Sequence, residues 1–472
     1  MSVRLKTLAQ LSQPKVPPPL DPDYRPASLI NRAFRKAVRE TGRGVPLALA
    51  LERGDGQVAV YNTEIFPADD PRSALNPAYV ERLLKFLLWQ KGGWRVAVGG
   101  PVEIGEYIKT AYAPAGERAF DCGLMGRVYE KTFAVEIVDH DRVPAPSESS
   151  AALGGHLEGC RIGFDLGASD RKVAAVIDGR VVFSEEVVWN PKLYRDPAYH
   201  YHQIQSALHH AASFMPRVDA IGGSSAGVYV NNRVMVASLF RAVPQEIFEA
   251  RVKDMFIRLE KEWGVPLSVI NDGEVTALAG AMSLGDHAVL GMAMGSSEAV
   301  GYCGPDGRIT TCLNELAFAP VDYNPEAPVD EWSGDRGCGV QYFSQEAVIR
   351  LAAKVGVVFD AGATPAEKLK AAQGLLAKGD ERVRPIFETI GVYLGYAIAH
   401  YADFYDLRHL LILGRVTSGE GGRLILEKAR AVLQAEFPQL HAGLKLHLPE
   451  EEAERRVGQA IAAASLPVNR VV

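Results

Sequence analysis

Cysteine is scarce in this chain and scattered along it. Of 472 residues only five are cysteine (Cys122, Cys160, Cys303, Cys312 and Cys338), an odd number with no C-x-x-C pair. That argues against a disulfide framework and a closely spaced zinc site, and for reduced thiols in the cytoplasm. Long apolar runs are missing too: nothing approaches about 18 uninterrupted apolar residues, so no membrane-spanning helix is expected. The opening "MSVRLKTLAQLSQPKVPPPL" has no apolar h-region, which argues against a secretory signal. Nor is there a surplus of cations. A formal net charge of -6 gives no general attraction to nucleic acid or to anionic membranes. Residues 1–45 are the local exception, with nine Lys or Arg against three acids, read as a solvated tail leading to a surface helix.

What is present is ordinary for a globular protein: 47% hydrophobic and 23% charged residues, in a chain long enough for two or three domains. Pro-rich "SQPKVPPPLDPDYRP" predicts an extended segment and "SLINRAFRKAVRETG" an amphipathic helix stopped by Gly42. "VPAPSESSAALGGHLEG" (143–159) is the interdomain linker candidate. The expected division is an N-terminal tail over 1–30, an α/β unit over 31–145, a linker over 146–159, and two lobes over 160–290 and 291–472. The last helix is left open to pack back on the first of these lobes. The α/β unit and the first lobe share a plan of strand, Gly-turn, strand, helix and a strand ending in Gly-Gly, so a degenerate repeat stands beside two unrelated α/β units. Strands are expected at 161–166, 172–178, 181–188, 218–222, 266–270, 288–294, 299–304 and 409–413. Helices are expected near 198–215, 244–263, 273–283, 339–355, 381–406, 419–436 and 449–465. This alternation predicts an α/β fold with sites at the carboxyl ends of strands. The histidines in "YHYHQIQSALHH" read as surface residues.

Four stretches carry chemistry. In "RIGFDLGASDRK" a carboxylate, Asp165, ends an apolar strand and needs a partner there. Gly167 permits a tight turn, and Ser169 with Lys172 could address phosphate oxygens. A polar-capped hairpin explains the same residues equally well. "VLGMAMGSSEAVGYC" is a second hairpin whose amides are free to face an anion. "HLLILGRVTSGEGGRL" passes from strand through Gly414 to a helix, a usual resting place for a nucleotide's base and sugar. In "PLSVINDGEVTALAGAM" Asp272 either caps a helix or takes a proton from a substrate hydroxyl.

The order of these pieces over residues 160–466 resembles the actin-like ATPase and sugar kinase superfamily, and more narrowly the ROK family (repressors, open reading frames and kinases), which includes bacterial glucokinases. The resemblance implies an α/β, two-lobed actin-like ATPase (ribonuclease H-like) fold with an additional N-terminal α/β domain. It implies an ATP-dependent kinase acting on a hydroxyl of a sugar or sugar-like molecule, the alternative being a non-catalytic sugar- or nucleotide-binding regulator. Asp165, Gly167 and Ser169 match the first phosphate motif, Gly291, Gly295 and Ser296 lie in the second, and Gly414 matches the adenosine motif. Lys172 adds charge to the first. Asp272 matches the catalytic base. Asn271, Glu315, Ser225 and Gly227 match or neighbour the sugar-contacting positions, and Asp165 would hold Mg²⁺ through water. A homodimer is left open.

The departures are several. Met292 stands where the second phosphate motif usually has Thr, and Arg415 where the adenosine motif has Gly. Phe318 replaces a zinc-binding His, and near "EWSGDRGC" only Cys338 survives of three zinc cysteines, Glu331 and Ser333 standing at the others. No zinc is therefore expected. Val340 stands near a lost sugar-contacting Glu.

Overall fold

The computed structural model describes residues 2–148, 150–151, 154–167, 170–310, 312–449 and 452–468, and among them three main sheets follow one another along the chain. The first holds β1 (Val45–Glu52), β2 (Val58–Ile65), β3 (Arg95–Gly99) and β4 (Ala134–Val138) in the order β2-β1-β3-β4. Its apolar run from Leu47 to Leu51 makes β1 a central strand buried on both faces. Short β5 (Ser150–Ala151) follows. The second sheet holds β6 (Cys160–Leu166), β7 (Asp170–Ile177), β8 (Arg180–Val188) and β9 (Ala220–Ser225). A separate hairpin, β10 (Val228–Val230) and β11 (Arg233–Val236), comes before its last strand, β12 (Leu267–Asn271). The third sheet has β13 (Val289–Met294), β14 (Glu298–Cys303), β15 (Ile309–Thr310), β16 (His409–Leu413) and β17 (Lys445–His447).

The second and third sheets share one topology. Their orders are β12-β9-β6-β7-β8 and β17-β16-β13-β14-β15-β5. In each, the first three strands form an antiparallel meander and the next two add in parallel to the first strand's free side. The N-terminal sheet is different, because β1 runs antiparallel to β3 where β6 runs parallel to β9. The expected repeat of the first lobe at the N-terminus is therefore corrected: the shared plan joins the two later sheets.

Two helices pass between the lobes. Asp272–Leu284 lies on β13 and β14 with its backbone almost touching the strands: a Cβ on Gly273 would sit 2.4 Å from the Val300 carbonyl oxygen, and one on Gly301 2.1 Å from that of Gly273. It thus belongs with the third sheet, and the boundary expected at 290 moves to the start of this helix. The helix Glu452–Ala464 packs on the second sheet, where Gly163 and Gly222 make room for the carbonyls of Ala460 and Ala463.

Further corrections concern the termini and the linker. Residues 2–8 form a helix whose Leu5 and Leu8 are buried, so the basic N-terminus is not a solvated tail. The segment after it runs along the last lobe: Leu20 N–H donates to Thr389 Oγ1 at 3.1 Å, and Tyr24 is fully buried among Tyr342, Tyr393 and Tyr396. One apolar core contains Phe34, Phe86 and Trp89 together with Met292, Phe387 and Tyr396, so the N-terminal unit and the last lobe fold around a common interior. The first lobe has its own, around Ile162, Phe164, Leu208 and Phe256. The linker candidate is tied down as well, with β5 paired to β15 and Ser147 bridged to Val58. The helix expected over 244–263 is broken by a π-turn at Phe248–Val252. His200 is fully buried, its Nε2 within 3.1 Å of the Pro191 and Leu239 carbonyls, so it is not a surface histidine.

Candidate functional site

The site gathers where β6, β9 and β12 end. Asp165, one residue from the end of β6, is held from two sides: Ser224 Oγ donates to its Oδ1 at 2.7 Å, and Lys172 Nζ lies 3.2 Å from its Oδ2. Lys172 also pairs with Asp170 at 3.1 Å, and the carboxylates of Asp165 and Asp170 raise its pKa against the pull of burial. The Gly167 N–H closes the turn on the Asp170 carbonyl at 3.0 Å. Ser169 lies outside the described residues.

At the end of β12 the chain turns into a helix, and here Asn271, not Asp272, provides the cap. Asn271 has extended backbone angles, and its Oδ1 accepts from the Gly273 N–H at 2.7 Å. Its Nδ2 donates to the Gly227 carbonyl at 2.8 Å and approaches Glu315 Oε1 at 3.3 Å, which ties together three positions singled out from the sequence. Asp272 is thereby relieved of most of the capping role, its Oδ1 taking only a longer 3.1 Å contact from the same N–H. Burial first, and then the charge of Asp165, push the Asp272 carboxyl up to about 6. That electrostatic reach puts the first-lobe hairpin and the start of the helix in one neighbourhood.

Around Asp272 stand three more acids. Burial pushes Glu315, Glu274 and Glu298 each up to about 8, with Asp272 adding to Glu315 and Glu315 adding to the other two. Glu298 bonds to Tyr401 through Oε1, while Oε2 is buried without a partner. The sequence reading missed Glu274 and Glu298. An acid inside the apolar run of β14, in "SSEAVGYC", was the available signal.

The opposite wall comes from the third sheet. Gly414, at φ 103, approaches so closely that a Cβ there would lie 2.3 Å from the Met294 carbonyl oxygen. Gly295, next along, closes the β13–β14 turn on the Ser297 carbonyl at 2.9 Å, with Ser296 exposed at its tip. Arg415 reaches across to Asp170 at 3.3 Å, so the adenosine-type turn and the first hairpin meet. Two of the singled-out residues face elsewhere: Gly291 lies under the helix backbone at Ala277, and the Ser225 hydroxyl is paired with Tyr229 at 2.6 Å. Met292 is fully buried in the common core, so the side chain at this position points away from the crevice.

A cavity of about 820 Å³ opens beside the same turn. Thr417, Ser418 and Gly419 line it with Arg423, His447 and Gln459.

The region of the lost zinc motif is filled differently. Phe318 packs among Trp89, Phe120 and Trp332, with ring centroids 4.4, 5.6 and 5.4 Å away. Burial pushes the Cys338 thiol up to about 12, and no group of three His, Cys, Asp or Glu that could hold a metal ion occurs among the described residues. These residues do not fit a zinc ion.

No protein-family model matches the sequence, and no curated protein does. Solved structures are similar in fold. A ROK family transcriptional regulator, a homologue of the Escherichia coli MLC protein, has a TM-score of 0.52 at 19% identity, over 66% of this chain and 79% of that one. A ROK family glucokinase from Streptomyces griseus in complex with glucose and AMPPNP gives 0.48 at 20% identity, over 65% and 99%. The ROK hexokinase from Thermus thermophilus gives 0.49 at 18%, over 64% and 97%. The fold expected from the sequence resemblance, α/β of the ROK type, is thus the fold found over about two thirds of the chain. No helix among the described residues is long and apolar enough to cross a membrane.

Proposed function

We propose that the protein transfers the γ-phosphoryl group of ATP to a hydroxyl of a sugar or sugar-like molecule. The observation that carries this reading is the state of Asp272. It opens the helix that follows β12 at the crevice, has given up the cap to Asn271, and has a carboxyl poised near 6, so at neutral pH it is an ionised base. The acceptor oxygen attacks the γ-phosphorus as its proton passes to Asp272, and the bond to the β-phosphate oxygen breaks to release ADP. Asn271, Gly227 and Glu315 would orient the acceptor, while the turns at Gly167 and Gly295 would present backbone amides to the phosphates. The cavity beside Gly414 would take the base and ribose. Among the described residues no group of three acids, His or Cys could ligate a metal directly. A hydrated Mg²⁺ held through water by Asp165 fits the donors, and when bound it would neutralise phosphate charge.

The test is ATP-dependent phosphorylation across a panel of sugars, cyclitols and amino sugars. Asp272→Asn should lower the rate by about 10²-fold or more with nucleotide binding retained, and the wild-type rate should rise with pH through about 6 as the base ionises. Undiminished activity in Asp272→Asn would end the reading. A second reading, a non-catalytic nucleotide- or sugar-binding regulator, is favoured by the Arg415–Asp170 pair that already spans the crevice.

A further inference from the structure

A chain of three side chains ends on the wall of the 820 Å³ cavity. Asp286 follows the helix Asp272–Leu284, His409 begins β16, and His447 ends β17. His409 Nε2 lies 2.9 Å from Asp286 Oδ2, and His409 Nδ1 lies 2.9 Å from His447 Nε2. His409 is almost wholly buried, whereas His447 lines the cavity between Leu446 and Leu448. The other ring nitrogen of His447, Nδ1, makes no hydrogen bond among the described residues and is not sealed from solvent.

Hydrogen-bond counting fixes what this nitrogen offers. Asp286 is ionised, its carboxyl held down to about 2 by the hydrogen bond from His409 and the Arg408 charge nearby. His409 Nε2 is therefore the donor to it. Only one proton fits between the two rings. In the neutral pair it sits on His447 Nε2, and His447 Nδ1 is a bare lone pair. A further proton on His447 Nδ1 converts it from acceptor to donor. The charged groups around it are Asp286 and Arg408 on the far side of His409, Lys445 on β17, and Arg423 and Arg430 on the helix Gly419–Glu436. Burial, then His409, Lys445 and Arg430, hold His447 below the usual histidine value, so the acceptor form prevails at neutral pH.

We propose that His447, set by Asp286 through His409, is a specificity-determining residue for the nucleotide base, accepting from the exocyclic amino group of adenine at neutral pH and favouring a carbonyl at that position once protonated. This rests on the nucleotide reading of the cavity given above. ADP and IDP suit the test, since they share ribose and phosphates and differ in this one group.

Calorimetric titration of the full chain with each nucleotide gives the ratio of their affinities at about pH 7.5 and about pH 5.5. ADP should bind about tenfold tighter than IDP at the higher pH, the worth of one hydrogen bond made against one lost, and the preference should vanish or invert at the lower. In His447→Ala and in the shape-retaining His447→Gln the ratio should no longer depend on pH. A wild-type ratio that stays flat while both nucleotides bind, or the same pH slope in either variant, overturns the relay and leaves the nucleotide reading standing. Failure of the wild type to bind either nucleotide at both pH values overturns the two together.

Discussion

Two groups of buried charged side chains are built in opposite ways. Where the helix Asn76–Lys91 meets the loop at Asp335, six charges are shut away from water: Glu81, Arg82, Lys85, Arg118, Asp121 and Asp335. They balance three against three and hold one another, with Lys85 and Arg118 each 2.7 Å from Asp335 and Arg82 at 3.1 Å. Although burial works the other way, Arg82 and Lys85 keep the Asp335 carboxyl down to about 2. At the crevice, Asp272, Glu274, Glu298 and Glu315 form no ion pair among the described residues, and burial raises all four. The first group fixes the N-terminal unit to the last lobe. The second stores unmet demand that a ligand can satisfy. A seam of buried, paired charge resists opening, whereas unpaired acids at a strand end are poised to exchange protons.

This contrast can be broken most severely at the seam. Asp335→Ala leaves three buried cations against two acids and should cost about 3–5 kcal/mol of unfolding free energy, read from the shift in urea midpoint. Next in size is Met292→Thr, which restores the hydroxyl usual in the second phosphate motif. Because Met292 lies in the common core, the change should cost about 2 kcal/mol or more and leave nucleotide affinity unimproved. A gain in affinity would show that this strand faces the crevice. The last test addresses the acids themselves. Glu298 is raised to about 8, so between its unfolded value and pH 8 the folded state binds more protons than the unfolded one, and its contribution to stability declines as pH rises through that window. Glu298→Gln should remove its share of that decline and leave the protein more stable than wild type above pH 8, read in urea titrations.

The lobes were legible because their signals are local. The apolar runs ending in Asp165, Asn271 and Gly414 fall on β6, β12 and β16, and the acid, amide or glycine ending each sits at the crevice. The identity of the cap was misread because Asn271 and Asp272 are both good capping residues, and only the three-dimensional course of the chain selects one. Pairings distant in sequence left no local trace. Nothing in "SVRLKTLA" foretells burial against a helix some seventy residues away, and the chain from Asp286 to His447 spans three elements. The helix Pro365–Ala377 went unread although Thr364 and Glu367 form a capping box.

The peptide bond between Asn271 and Asp272 joins two bodies. Asn271 completes a strand of the first lobe, while Asp272 opens a helix pressed backbone to backbone on the sheet of the last one. Any swing of one lobe against the other would carry Asp272 relative to Asp165. Separation of the lobes would wet the base and weaken its hold on a proton, so the titration of this single carboxyl doubles as a gauge of how far the jaws stand apart.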